Sequence, residues 1–174
     1  MMAEPLTLYK LIVLYMLEKV NFPLTNGQIS AFILDQGYTT YFTLQQAINE
    51  LLEAELIDVE TVRNSSQYRI TESGQGTLDY FQNKIPSAIR KDIDVYLRDN
   101  QLQLRNEVAV TADYYKNTNG EYSVHCVVKE RKGELINLTI TVPDRRQASA
   151  MCDHWEQKCQ KIYQTIMEEL QQSK

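Results

Sequence analysis

The chain has 174 residues, enough for one large domain or two small ones. Hydrophobic residues make up 43% and charged residues 24%, which excludes a disordered, collagen-like or rod-like chain. The net charge of −5 is unevenly placed: residues 1–84 carry 5 basic and 10 acidic side chains, and residues 85–174 carry 13 of each.

The longest apolar stretch, Leu11 to Leu17, lies between Lys10 and Glu18 and is far too short for a membrane span. The N-terminus lacks the charged, apolar, small-residue layout of a signal peptide. Cys126, Cys152 and Cys159 form no disulfide framework. A cytoplasmic protein with no membrane contact is expected.

Thr7 to Val20 reads as a helix apolar on more than one side, with Leu8, Leu11, Ile12 and Tyr15 on one stripe and Val13, Leu14 and Leu17 on another. Pro23 ends it. Thr25-Asn26-Gly27-Gln28 is a capping box for a short helix that turns Ile29, Phe32 and Ile33 inward and stops at Gly37. Tyr38-Thr39-Thr40 is a tight turn with a new N-cap. A third helix, about Tyr41 to Ala54, has core positions Leu44, Ala47, Ile48 and Leu51. Leu56 to Arg63 and Gln67 to Thr71 read as two strands around the polar turn Asn64-Ser65-Ser66. Thr71 caps a fourth helix carrying Leu78, Phe81 and Ile85. Pro86-Ser87 restarts a helix with Ile89, Ile93, Tyr96 and Leu97 on one side.

The pattern then changes period. Residues 105–116, 121–130 and 134–142 alternate, with hairpin turns at Asn117 to Gly120 and at Lys132-Gly133. Val108, Val110, Ala112 and Tyr114 lead one apolar face. Asp144 and Gln147 open a last helix whose stripe runs Ala148, Met151, Trp155, Ile162, Ile166 and Leu170 and should cover that face.

The order helix, helix, helix, strand, turn, strand, helix is that of a winged helix-turn-helix. Tyr68-Arg69-Ile70-Thr71-Glu72-Ser73-Gly74 resembles the exit from the wing in MarR-like and PadR-like regulators, and Leu51 followed by Leu56-Ile57 resembles the segment entering it. Those regulators carry Gly just before the Leu-Ile pair, where this chain has Glu55. Leu24-Thr25-Asn26-x-Gln28-Ile29, then Tyr38-Thr39-x-Tyr41-Phe42-x-Leu44-Gln45-Gln46, is more closely similar to a bacterial family, domain of unknown function 4364. That resemblance extends over nearly the whole chain and implies a transcriptional regulator.

In such a regulator the third helix offers polar side chains to base edges in the major groove. The outward candidates are Tyr41, Gln45, Gln46 and Asn49, since Gln and Asn can pair bidentately with adenine. Thr39, Thr40 and Tyr41 at the helix start are candidates for a phosphate contact. Arg63, Asn64, Ser65 and Arg69 are the candidates on the strand pair. The third helix has no Lys or Arg, so few phosphates can be neutralised, by Lys10, Lys19, Arg63 and Arg69. Nonspecific affinity and salt slope should both be low. The competing reading is an adaptor that binds protein through the same acidic unit.

Other constellations read blandly. The three cysteines are expected as small buried thiols, since no local spacing converges four ligands on a metal. Asp113, His125 and Ser123 share a flat polar sheet face that offers no oxyanion donors. Gly74-Gln75-Gly76 lacks the Lys-Ser/Thr of a phosphate loop. Lys129 to Lys132 and Arg145-Arg146 are expected as solvated turn charges.

The expected fold is α+β: a winged helix-turn-helix over 1–84, a connecting helix over 85–100, and over 101–174 a three-stranded antiparallel sheet packed on a long C-terminal helix, serving dimerisation or sensing. The expected function is a DNA-binding transcriptional regulator, not an enzyme, with no catalytic residue, cofactor or metal. Its expected partners are double-stranded DNA and a second copy of the chain, with room for an effector ligand.

Overall fold

A computed structural model describes residues 4–130 and 133–172. The chain divides into two compact units, one ending at Val108 and one starting at Ala109.

The first unit is organised around α1 (Pro5–Lys19), which Pro5 opens at a position needing no N–H. Residues Leu11 to Leu17 are all buried, so every side of the helix has a neighbour. α3 (Tyr41–Glu53), α4 (Glu72–Phe81) and the strand β3 (Ser65–Ile70) supply them. α2 (Asn26–Asp35) begins with the expected capping box: Thr25 Oγ1 accepts from the Gln28 amide at 3.0 Å, and the Thr25 amide donates to Gln28 Oε1 at 2.9 Å. A short 3-10 turn, Gln82–Lys84, precedes α5 (Ser87–Ala109).

The expected winged helix-turn-helix is corrected here. The α+β class stands, but the described residues form six α-helices and two separate three-stranded sheets, and a winged arrangement is not shown. Three helices do not precede the first strand. Leu24–Thr25 forms a strand, β1, between α1 and α2, which the expected order lacked. It pairs antiparallel with β3, Leu24 opposite Tyr68 and Thr25 opposite Gln67, while β2 (Ile57–Val62) pairs with the other edge. The expected two-stranded element is thus a sheet with β3 in the middle. The physical reason is that a second edge of β3 carries backbone groups needing partners, and the extended chain leaving Pro23 supplies them.

Two further boundaries move. The turn between β2 and β3 is Arg63-Asn64, with φ of 46° and 69°, and not Asn64 to Ser66. Two left-handed residues make the hairpin turn that suits strand twist. Residues 105–109, expected in a strand, are helical. Leu104 and Val108 lie one helical turn apart and both enter the core of the first unit.

The second unit holds β4 (Val110–Lys116), β5 (Tyr122–Glu130) and β6 (Gly133–Val142) in the order β4-β5-β6. The turn expected at Lys132-Gly133 and the charges Arg131 and Lys132 fall at or outside the edge of the described residues, where Gly133 starts β6. α6 (Arg145–Gln171) packs on one face, capped by Asp144, whose Oδ1 accepts from the Gln147 amide at 2.8 Å. Val124, Cys126, Ala148 and Trp155 form its core, and the Trp155 indole donates to the Val127 carbonyl at 3.2 Å. Burial pushes the Cys126 thiol up to about 11, so it is protonated at neutral pH.

α2 and α3 end alike. After α2 the Gly37 amide donates to Leu34 O and the Tyr38 amide to Ile33 O; after α3 the Glu55 amide donates to Leu52 O and the Leu56 amide to Leu51 O. Both are Schellman ends, which need a left-handed residue. Gly37 has φ 72° and Glu55 has φ 58°. Glu55 therefore sits where glycine is favoured, at the position where the sequence departs from the regulator pattern. Glu55→Gly should raise the unfolding free energy by up to about 1 kcal/mol, and Gly37→Glu should lower it by about 1 kcal/mol. Urea midpoints of the two variants check this.

Candidate functional site

α3 is clamped from inside. Leu44, Ala47, Ile48 and Leu51 are buried, and the helix starts on Thr40, whose Oγ1 accepts from the Thr43 amide at 3.3 Å. Thr40 Oγ1 also donates to Thr43 Oγ1 at 3.0 Å. Thr71 holds the far end: its hydroxyl donates to the Glu55 carbonyl at 2.8 Å and accepts from the Gly74 amide at 3.0 Å. Gly74 lies against that junction so closely that a Cβ there would stand 2.0 Å from the Leu56 carbonyl oxygen. The Tyr68-to-Gly74 motif is thus a fastening between α3, β2 and α4.

Gln45 is drawn inward. Its Nε2 donates to Asn26 Oδ1 at 3.1 Å, and Asn26 Nδ2 donates back to Gln45 Oε1 at 2.8 Å. Asn26 Nδ2 also reaches the Tyr68 hydroxyl at 3.2 Å, and the Ser30 hydroxyl donates to Asn26 Oδ1 at 3.1 Å. This amide network joins α2, α3 and β3.

The outward stripe of α3 is Phe42, Gln46, Asn49 and Glu53, spaced i, i+4, i+7 and i+11, and all four are exposed. Phe42 was not among the sequence candidates, yet it is 84% exposed and meets Tyr41 edge-on at 6.1 Å between ring centroids. Its signal was legible, as an aromatic residue one turn before Gln46 and off the core stripe. Gln46 Nε2 donates to Glu50 Oε2 at 3.2 Å. Thr39 is half-buried in the turn before α3. On the hairpin, Arg63 and Asn64 make the turn, Ser65 stands opposite Val62, and exposed Arg69 stands opposite Asp58.

The cations are few. Lys10 Nζ donates to Glu50 Oε1 at 2.7 Å, which holds the Glu50 carboxyl below its ordinary value. Lys19 lies over the Tyr15 ring at 5.1 Å. The Tyr38 hydroxyl, in the turn between α2 and α3, donates to Asp92 Oδ2 of α5 at 2.9 Å. On the polar face of the second sheet His125 Nε2 bonds Asn137 Oδ1 at 2.6 Å, and Ser123 Oγ accepts from Asn117 Nδ2 at 3.4 Å. Among the described residues no group of three or more His, Cys, Asp or Glu could hold a metal ion, and no helix is long and apolar enough to cross a membrane.

Residues 9–170, which span both units, match the model of a family described as Domain of unknown function (DUF4364). The chain belongs to the DUF4364 family. The match carries no regulator type with it, so the likeness to MarR-like and PadR-like proteins gains nothing from it. No curated protein and no solved structure matches the chain.

Two outcomes separate framework from surface. Gln45→Ala, which removes both hydrogen bonds between Gln45 and Asn26, should lower stability by about 1–2 kcal/mol, whereas Gln46→Ala and Asn49→Ala should stay within about 0.5 kcal/mol of the parent in urea unfolding. The second concerns alkaline pH. Burial, then the bond to Asp92, pushes the Tyr38 phenol from its ordinary 10 up to about 12, and Tyr15, bonded to Asp94, is raised in the same direction. The unfolded phenols ionise first, so their contribution is whole below pH 10 and is lost as pH rises towards 12. The urea midpoint should fall over that window, and Tyr38→Phe should make the fall shallower.

Proposed function

We propose that this DUF4364 protein is a DNA-binding transcriptional regulator, acting in the cytoplasm as a pair of copies, that reads bases with the outward stripe of α3. The observation that carries the reading is the division of labour on that helix. One side is buried and Gln45 is tied to Asn26, while Phe42, Gln46 and Asn49 project from the other side. Gln and Asn suit the adenine edge, and an aromatic side chain suits the thymine methyl group, so the stripe favours A·T pairs. A rigid helix presenting such a row is what major-groove reading requires. Lys10 is engaged with Glu50, which leaves few cations for phosphates.

A second reading has its own support. Phe42 is the most exposed large apolar side chain among those described, α3 carries no Lys or Arg, and Glu53 lies on the same stripe. Such a surface also suits a protein partner.

Sheared DNA from the source genome, retained on the purified protein at low and at near-physiological salt and then sequenced, tests both. The DNA reading expects a few sites with A·T-rich halves, surviving the higher salt with a shallow salt slope. Gln46→Ala and Asn49→Ala should each weaken retention of those sites by about tenfold to a hundredfold while leaving the fold intact. Retention of nothing at low salt overturns it in favour of the protein-binding reading.

A further inference from the structure

Asparagine followed by glycine occurs twice in the chain, at Asn26-Gly27 and at Asn119-Gly120. Asparagine is among the thermolabile residues. A glycine after it carries no Cβ to shield its amide nitrogen. The fold treats the two pairs differently. Asn26 is the first residue of α2, and its side chain is held at both ends. Its Oδ1 accepts from Ser30 Oγ and Gln45 Nε2, each at 3.1 Å, and its Nδ2 donates to Gln45 Oε1 at 2.8 Å and to the Tyr68 hydroxyl at 3.2 Å. Asn119 lies in the turn between β4 and β5, and Thr118, Asn119, Gly120 and Glu121 are all exposed there. Among the described residues no group holds its side-chain amide. The turn is organised instead from Asn117. Its Oδ1 accepts from the Asn119 and Glu121 amides, each at 3.0 Å, and its carbonyl accepts from the Gly120 amide at 3.2 Å. Gly120 has φ 79°, and a Cβ there would meet nothing within 4 Å, so the space around the reacting nitrogen is open.

We propose that Asn119 is a site of spontaneous deamidation, which lowers the stability of the second unit as the molecule ages, while the fold protects Asn26 in the first. The Gly120 amide nitrogen attacks Cγ of Asn119. The bond from Cγ to Nδ2 breaks, and ammonia leaves with the proton that the Gly120 nitrogen gives up. Water then opens the resulting succinimide ring at one of its two carbonyls. The product is aspartate, or isoaspartate with the main chain running through Cγ. At Asn26 the same attack would have to break the side chain's bonds and swing the peptide out of its helical torsion. At Asn119 it needs only motion of an exposed loop tip. Isoaspartate adds one atom to the main chain between Asn117 and Gly120 and a carboxylate close to Glu121. The amides that Asn117 gathers then no longer fit one turn, and the pairing of β4 with β5 loosens from that end. The proposal rests on no reading of what α3 binds.

The full chain is kept at neutral and at mildly alkaline pH, and its peptides are weighed by mass spectrometry at intervals, with isoaspartate scored by enzymatic carboxyl methylation. The peptide holding Asn119 should gain one mass unit, faster in alkali because the attacking nitrogen must lose its proton. Asn26 should react at least about thirtyfold more slowly, the least that its four hydrogen bonds impose on release. In guanidinium chloride the two should react at similar rates. Trp155, the chain's one tryptophan, is buried in the second unit and reports on it. Its fluorescence midpoint in urea should fall in the aged chain and stay in place in Asn119→Gln aged alongside. Asn119 intact in the folded chain but reactive in guanidinium overturns the site. Equal rates at Asn26 and Asn119 in the folded chain overturn the protection, and a modified Asn119 with an unmoved midpoint overturns the effect on the second unit.

Discussion

Burial of α1 on every side from Leu11 to Leu17 is the constraint on which the first unit depends. Leu11 to Leu17 are seven successive residues of one helix, none more than 5% exposed. Burying a Leu or Ile side chain is worth about 1.5–3 kcal/mol, so exposing any side of this helix would be costly. Helices and a sheet must therefore reach it from several directions. α3 and α4 pack on it, β3 closes another side, and Tyr15 reaches Asp94 of α5 through its hydroxyl. Few alternative arrangements of these elements could meet that demand.

The surface of α3 follows from this enclosure. Its inner row is committed to the core, and its two ends are fixed by Thr40 and by the backbone junction that Thr71 and Gly74 hold. Gln45 then completes an amide network with Asn26, Ser30 and Tyr68. The stripe Phe42, Gln46, Asn49 and Glu53 is left exposed, with Tyr41 beside it. Its aromatic, amide-bearing and acidic character comes from the side chains that packing and capping did not use.

The second unit faces the opposite problem. Three strands share one helix, and one helix is too narrow to cover them. The uncovered strip lies beside β6 because α6 settles over β4 and β5, where Trp155 bonds the Val127 carbonyl and Arg145 donates to the Tyr114 hydroxyl at 3.2 Å. The apolar floor beside β6 follows from this shortage of covering surface.

Local signals in the sequence were sufficient wherever one turn of chain decides the outcome. The caps at Thr25, Thr40, Thr71 and Asp144 are formed by residues three apart, and each is present. The core stripe of α3 and the alternation of β5 also needed only the chain's own period. The strand β1 could not be read, since two residues carry no period and their partner Tyr68 lies 44 positions away. The end of α5 was ambiguous, because Leu104, Val108 and Ala112 at spacing four satisfy a helix and a strand equally. The core of the first unit claimed Val108, and the sheet took the chain from Val110. Gln45 and Phe42 show the same limit at the candidate site. Spacing separated the inner and outer rows of α3, but which of its polar side chains project outward depended on Asn26 reaching across from α2, a contact that exists only after the chain has folded.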